Sequence, residues 1–183
     1  PDPPEVDFIE LNREVVFLLS NPQSSNNFKE AYEEVGIGFP DFLDDEEKVY
    51  EFEGYKVYQL VEEDVSVQDL DDPTKAALVF QCDVKNGISE IYNWSSIPNP
   101  DPGQPPVWIP TQRVDGEDAG IRHSFVVRED RFATGDRRLI NHKKYYYLAV
   151  SYAYNNFAQF EVNNPESTQK IPYLESRRGI TKY

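Results

Sequence analysis

The chain has 183 residues, of which 33 are acidic and 18 are basic, so its formal net charge at pH 7 is −15. A surface this acidic repels nucleic acids and anionic membranes, which excludes both as partners. No stretch of the sequence is long enough and apolar enough to span a bilayer, so we expect no membrane insertion. Aromatic residues make up 14% of the chain, and Tyr and Phe, which supply most of them, favour strands over helices.

The first residues predict a stiff entry into one folded module. Residues 1–4 read Pro-Asp-Pro-Pro, and a proline-rich run of this kind forms an extended linker. The chain contains no methionine, which indicates that it is a piece of a longer protein. We therefore expect a linker at 1–4 and a single β-rich module over 5–183, a length sufficient for one domain with its own core.

Alternating polar and apolar residues predict the strands. Residues 5–11 and 13–22 follow each other so closely that we expect neighbouring strands. Gly54 interrupts a long alternating run, which indicates a bulge or a close backbone approach. The Asn86-Gly87 pair separates two further runs and predicts a hairpin. The other predicted strands are 48–62, 75–84, 88–94, 121–130, the tyrosine-rich 145–155, and an edge strand near 170–174.

Two stretches are predicted to be insertions between strands. Residues 23–46 contain good helix formers after Asn27, which can cap a helix, and before Gly36, which can end one, so we expect one short helix of about two turns there. Residues 95–120 are predicted to be a long proline-rich connection. Residues 66–70 have the pattern of a capping box and predict a single helical turn. Together the elements predict an all-β fold, an immunoglobulin-like antiparallel sandwich of about seven strands with long loop insertions and one short helix.

Several short motifs resemble fibronectin type III domains. That family carries a tryptophan three residues before a proline in its second strand; here Leu19 stands three residues before Pro22, and the tryptophan is missing. The third strand of many such domains reads G-Y-x-V-Y, and Gly54–Tyr58 reads G-Y-K-V-Y. The resemblance implies a fibronectin type III-like sandwich. Its signature positions in this chain are Leu19, Pro22, Gly54, Tyr55, Tyr58, Ile140, Tyr146 and Val150.

The sixth strand of the family carries a tyrosine corner, a tyrosine six residues after a leucine. Two registers fit here, because Leu139 lies six residues before Tyr145 and Ile140 lies six residues before Tyr146. A slip of one residue exchanges the two faces of a strand. The register with Tyr146 turns the more apolar set inward, including Val150, and is favoured. Tyr145 and Tyr147 would then lie outside, where we expect the 23–46 insertion to cover them.

Longer stretches, among them FEGYKVYQL and FATGDRRLINHKKYYYLAVSYAYN, resemble a module of very large exported proteins of Gram-negative bacteria that use the type IX secretion system. The resemblance covers roughly residues 5–180. It implies an extracellular or bacterial cell-surface location and neighbouring domains of the same chain as partners. In that family the module is structural or adhesive, so the resemblance supplies no catalytic residue.

No constellation in the sequence predicts catalysis. His123 and His142 show no close spacing to other metal ligands. Cys82, the one cysteine, stands among alternating apolar residues, which indicates a small buried thiol. The sequence contains neither a G-x-S-x-G nucleophile elbow nor a glycine-rich phosphate loop. We therefore predict that the chain is not an enzyme.

Two acidic loops are candidates for a calcium site, with a solvated acidic surface as the alternative. Each loop concentrates oxygen ligands, although neither matches the pattern of an EF-hand. We expect no cofactor, with calcium as the one alternative. The candidate ligands are Asp41, Asp44, Asp45, Asp69, Asp71 and Asp72.

Trp94 and Trp108 lie at the start of the proline-rich connection and within it. Exposed tryptophans on a sandwich can stack on sugar rings. Alternatively, these two cover the core beneath a long loop, together with Ile97, Val107 and Ile109.

The sequence as a whole predicts a non-catalytic structural or interaction module of a large secreted or cell-surface bacterial protein. Neighbouring domains are its expected partners, with a glycan or a protein as a further ligand. The alternatives are a carbohydrate-binding module that uses loop aromatics and a calcium-stabilised adhesion domain.

Overall fold

The computed structural model describes residues 1–177 and 179. The regular structure of this part is antiparallel β, as the alternation predicts, and its helical segments are short 3-10 turns. No helix in it has the length and apolar character needed to cross a bilayer. The strands are β1 (Glu5–Leu11), β2 (Glu14–Ser20), β3 (Glu33–Val35), β4 (Val49–Leu60), β5 (Ala76–Asp83), β6 (Glu90–Ile97), β7 (Val107–Asp115), β8 (Ser124–Val127), β9 (Tyr146–Tyr154) and β10 (Tyr173–Glu175). The 3-10 turns are Phe28–Glu30, Asp45–Lys48, Val67–Asp69 and Pro165–Ser167.

The strands form two sheets and a separate hairpin. In sheet 1, β2 lies between β1 and β8, so the predicted pairing of the first two strands is confirmed. In sheet 2, β4 is central: β9 pairs along one side, and β3 and β5 share the other. The edge strand β10 pairs with the end of β9. Strands β6 and β7 pair with each other, and we call this unit the arm.

One face of sheet 2 packs against sheet 1 to form the main core. Phe17 of β2 lies at its centre and is 1% exposed. Its ring stacks on Phe125 of β8 at 4.9 Å between centroids and meets Tyr147 of β9 edge-on at 4.7 Å. Leu19, at the position of the missing tryptophan, is buried in the same cluster together with Tyr55. The interior between the two sheets is therefore aromatic and continuous.

The other face of sheet 2 is also covered. Leu148 and Val150 of β9 pack with Tyr58 against the connection between β4 and β5. Further along, Tyr152 packs with the base of the arm through a cluster that includes Val114. Both faces of β9 are thus buried, which explains why this strand has no polar side.

A bulge in β4 keeps the correct residues on each face. The pairing of β4 with β9 shifts between Phe52 and Gly54, so Glu53 is the extra residue. A Cβ at Gly54 would lie 2.3 Å from the Cys82 carbonyl oxygen and 2.5 Å from Tyr152 Oη. Gly54 therefore marks both a bulge and a close backbone approach, as predicted.

The tyrosine corner forms in the register that the sequence disfavoured. Leu139 is buried, whereas Ile140 is 62% exposed. The backbone N–H of Ile140 donates a hydrogen bond of 2.9 Å to Tyr145 Oη, so Leu139 and Tyr145 form the corner, and Ile140 and Tyr146 do not. Alternation could not choose between the registers because both faces of β9 are apolar and buried.

The predicted helix within 23–46 is wrong. Lys29 and Glu30 have φ values of 58° and 60°, which a right-handed helix does not allow. The segment instead makes one 3-10 turn and then β3, which pairs with β4. Tyr32 of this segment packs between the sheets, while Tyr147 is covered by Phe17 of sheet 1. Tertiary burial and strand pairing have overridden helix propensity here.

The pairing expected around Asn86-Gly87 is also wrong. The turn forms, with Gly87 at a φ of 90°, but β5 pairs with β4 and β6 pairs with β7. Asp118 accepts hydrogen bonds from the backbone N–H groups of both turn residues, so the turn is fixed by a distant loop. The stretch 95–120, expected to be a connection, contains the end of β6 and the whole of β7.

Candidate functional site

The arm places both tryptophans on one of its faces. Trp94 pairs with Pro110, and Ser96 pairs with Trp108, so the two indoles are diagonal neighbours. Both pack around Phe160, with Trp94 stacked at 4.5 Å and Trp108 tilted at 5.1 Å between ring centroids. All three rings are half-buried. We call Trp94, Trp108 and Phe160 the aromatic cluster.

The aromatic cluster joins the arm to the loop between β9 and β10. The Trp94 backbone N–H donates a hydrogen bond of 2.7 Å to the Lys170 carbonyl oxygen. Lys170 Nζ also lies 5.8 Å from the Trp108 ring centroid. Asn93 accepts a hydrogen bond from the Tyr173 backbone N–H at 2.9 Å. The cluster is therefore a half-exposed platform with a cation beside it.

The expectation that the tryptophans pack with neighbouring aliphatic residues is wrong. Ile97 pairs with Val107, and Ile109 pairs with Ser95, which puts these aliphatic side chains on the opposite face of the arm. Ile97, Val107 and Ile109 are 46%, 41% and 40% exposed. The period of two in a strand separates them from the tryptophans.

The first acidic loop uses its side chains locally. Asp44 is the N-cap of a 3-10 turn and forms a capping box with Glu47. Its backbone N–H donates a hydrogen bond of 3.0 Å to the Glu47 carboxylate. Asp45 lies 3.4 Å from Lys48, and Asp41 is exposed.

The second acidic loop is engaged in ion pairs and a turn. Asp69 pairs with Lys75 at 2.8 Å, and Asp71 pairs with Arg113. Asp72 accepts two hydrogen bonds from Thr74, which lower the pKa of its carboxyl group. Across the described residues, no three His, Cys, Asp or Glu side chains are grouped so that they could hold a metal ion. The calcium site stays a prediction.

His123 and Cys82 both lie beside Tyr55, whereas His142 lies in the corner loop. His123 Nε2 is 2.5 Å from Glu30 Oε1, and this carboxylate also accepts a hydrogen bond of 3.1 Å from Tyr55 Oη. His142 is exposed in the corner loop with a φ of 65°. The Cys82 thiol is buried and donates to the Arg122 carbonyl oxygen at 3.6 Å. Burial raises the thiol pKa, which disfavours the reactive thiolate.

A buried lysine was not singled out from the sequence. Lys56 is 3% exposed and lies over the rings of Tyr173 and Tyr152, at 4.6 and 5.4 Å from their centroids. Its ammonium group donates to the Arg113 carbonyl oxygen and, at 3.3 Å, to Tyr173 Oη. Burial lowers its pKa to about 8. The sequence offered one signal for this site. Lys56 is a charged residue in a strand whose neighbouring residues are predicted to be buried.

A buried carboxyl group lies at the bulge. Glu53 is 3% exposed, and its Oε2 accepts a hydrogen bond of 2.8 Å from Asn86. Burial raises the Glu53 pKa to about 7, and the nearby Asp83 and Asp118 carboxylates add to the effect. The arm and the turn after β5 are thus tied to sheet 2 through buried polar groups.

Comparison of the chain with protein-family models, with curated proteins and with solved structures finds no match.

Proposed function

We propose that the chain is a non-catalytic structural or interaction module of a large secreted or cell-surface bacterial protein. The observation that carries the proposal is the covering of sheet 2 on both faces by segments of the same chain. A sheet that is covered in this way needs no partner to fold, and its loops and the arm remain available for contacts with other domains or ligands.

The arrangement of strands supports a fibronectin type III-like architecture. If β3 and the arm are set aside, the first, second and fifth of the remaining strands form sheet 1, and the third, fourth, sixth and seventh form sheet 2. An immunoglobulin-like sandwich separates strands A, B and E from C, F and G in the same way. The hydrogen bond at Tyr145 gives further support. In this proposal the arm is an addition between the fourth and fifth strands, and the partners are neighbouring domains.

An unfolding experiment tests whether the module is autonomous. Tryptophan fluorescence reports on the arm, because both tryptophans lie there, whereas far-ultraviolet circular dichroism reports on the sheets. For the purified chain we expect a monomer and coincident urea transitions by the two probes. Separate transitions, or a chain that folds only as an oligomer, would contradict the proposal.

Carbohydrate binding is a second candidate, favoured by the half-exposed aromatic cluster. Sugar rings stack on such faces. The Lys170 ammonium group beside Trp108 is already paired with Glu166 at 2.9 Å, so the aromatic rings and not this charge carry the proposed binding. On a glycan array we expect binding that Trp108→Ala abolishes without loss of folding, while Ile109→Ala, a change at an exposed position on the opposite face of the arm, retains it. If the folded chain bound no glycan on the array, carbohydrate binding would be rejected and the structural module would remain as the proposed function.

A further inference from the structure

The outer face of sheet 1 carries an apolar stripe. Ile9 pairs with Val16, and Val16 pairs with Val126, so these aliphatic side chains form one row across the three strands. Leu11 and Leu18 lie two residues further along their strands and therefore on the same face. Ile9, Leu11, Leu18 and Val126 are 52%, 49%, 41% and 39% exposed. Exposed apolar residues that are contiguous, unlike single scattered ones, point to an interaction surface.

The apolar stripe reaches an open edge of sheet 1. Within the described residues, β2 is the one strand that pairs with β1, so the other side of β1 presents backbone N–H and C=O groups that no strand engages. The seven residues of β1 pair with β2 in continuous register. An edge strand of this length, without a bulge, a proline or a lysine, can accept a further strand.

The other edges that the structure describes in the two sheets are less suited to pairing. Val57 pairs with Phe80 and Tyr58 pairs with Leu78, so β5 carries an extra residue, Val79, as a bulge. A bulge twists an edge strand away from possible partners. Strands β3 and β10 have three residues each, and β8 has four, so they offer few backbone groups.

One half of the open edge is acidic. Glu5 and Asp7 lie on the same face of β1 as the apolar stripe and are exposed, and neither forms an ion pair within the described residues. Glu14 of β2 is paired with Arg128 at 2.7 Å, so that pair adds no net charge to the face. A partner with cationic side chains opposite Glu5 and Asp7 is therefore attracted to this edge.

A second copy of the chain fits the edge poorly. Each chain carries a net charge of −15, and pairing of two β1 strands would bring Glu5 and Asp7 of both copies to one interface. Repulsion between like charges opposes that pairing. The same carboxylates favour a basic partner, so charge complementarity selects the occupant.

We propose that β1 binds an extended basic segment of a partner protein, which adds a strand to sheet 1. Main-chain hydrogen bonds to β1 hold the segment, its apolar side chains lie on Ile9 and Leu11, and its lysine or arginine side chains face Asp7 and Glu5. The proposal goes beyond the module function because it names a partner by its chemistry. The peptide experiment that tests it and the unfolding experiment that tests the module can fail independently.

Titration of the intact chain with the peptide VKVTKTK tests the proposal. In an antiparallel register the two valines lie opposite Leu11 and Ile9, and the last two lysines lie opposite Asp7 and Glu5. We expect saturable binding by calorimetry with a Kd below about 1 mM. Nuclear magnetic resonance should show shifts confined to sheet 1 and slower hydrogen exchange of the β1 amides.

Two control peptides separate the contributions of charge and of strand pairing. VEVTETE keeps the apolar residues and reverses the charges, and VKVPKTK keeps the charges but contains a proline, which removes a backbone N–H. Each is expected to bind at least about tenfold more weakly than VKVTKTK. No saturation by VKVTKTK, shifts outside sheet 1, or equal binding of either control peptide would overturn the proposal.

A charge reversal on β1 tests the acidic half of the edge. Asp7→Lys changes an exposed side chain, and we expect it to weaken VKVTKTK about threefold or more and to strengthen VEVTETE. Asp101→Lys, the same change at an exposed position of the loop between β6 and β7, should leave the binding of both peptides unchanged. Equal affinities of these two variants for both peptides would contradict the proposed recognition of charge.

An aliphatic substitution tests the apolar stripe. Ile9→Thr keeps a β-branched side chain and removes apolar surface, so we expect VKVTKTK to bind about threefold or more weakly. Ile171→Thr is the matched control, since Ile171 is 51% exposed and lies in the loop before β10. If Asp7→Lys and Ile9→Thr both bind VKVTKTK as tightly as their controls do, or if the free chain dimerises through β1, the proposal is wrong.

Discussion

Two residues of β4, Gly54 and Lys56, lie at positions of sheet 2 where the surrounding atoms restrict which side chain can be accommodated. Gly54 allows the β5 backbone and the Tyr152 hydroxyl to approach the bulge. Two residues further on, the ammonium group of Lys56 is surrounded by two aromatic rings, one carbonyl oxygen and one tyrosine hydroxyl instead of water. Each of these positions tolerates little change because backbone or buried rings lie directly against it.

Gly54→Ala is expected to lower the free energy of unfolding by about 2–3 kcal/mol. The added methyl group would meet the Cys82 carbonyl oxygen, which belongs to the backbone of β5 and cannot move alone. Urea denaturation measures the change. Gly135→Ala is the control, because a Cβ there meets no atom within 4 Å; equal effects of the two substitutions would refute the close approach.

Lys56 should make stability depend on pH in the alkaline range. Its pKa is about 8 in the folded chain and roughly 10.4 when unfolded. Below pH 8 the lysine is charged in both states, so the full cost of burying the charge applies. Between the two pKa values the unfolded state binds more protons, and stability therefore rises with pH.

Lys56→Met keeps the apolar stem and removes the titration. We expect the stability of the wild type, relative to this variant, to rise by about 1–2 kcal/mol between pH 8 and pH 9.5. Urea denaturation at each pH gives the difference. Lys85→Met, at an exposed position, should track the wild type; a constant difference between the wild type and Lys56→Met would contradict a lowered pKa.

At the scale of elements, β9 is the strand on which the fold depends. It pairs with β4 and β10, and its two faces line the main core and the cover of sheet 2. The corner at Tyr145 fixes where this strand begins, because the tyrosine hydroxyl holds the loop before it. A slip of one residue would exchange two faces that pack against different partners.

Tyr145→Phe is therefore expected to destabilise the fold by about 1 kcal/mol, the typical value of one hydrogen bond. Tyr146→Phe leaves the bond to the Ile140 backbone in place and should cost less. Thermal denaturation compares the two variants. If Tyr146→Phe were more destabilising than Tyr145→Phe, the result would instead support the register favoured from the sequence, with Ile140 and Tyr146 at the corner.

At the scale of the whole molecule, the Cys82 thiol reports on the opening of the main core. The residue is 5% exposed in the cluster between the two sheets. Reagents reach it only when the sheets separate, so we expect labelling by a thiol reagent to be slow and to accelerate with urea in parallel with global unfolding. Ser24→Cys, in an exposed loop, should label at once. Fast labelling of Cys82 in the absence of urea would show that the sheets open locally.

The sequence by itself determined the local features of this protein. The alternation of polar and apolar residues predicted most of the strands, Gly54 predicted the bulge, and the apolar neighbours of Cys82 predicted a buried thiol. These features depend on neighbours within a few residues, which a sequence displays directly.

The tertiary structure alone decided the pairing partners of β5 and β6, the corner register and the way in which the aromatic cluster forms. The turn at Asn86-Gly87 is held by a loop about thirty residues away, so its local signal could not name the partner of β5. Both faces of β9 are covered, which removes the polar side that would have fixed its register. Such long-range contacts are set by packing and hydrogen bonds that no local pattern encodes.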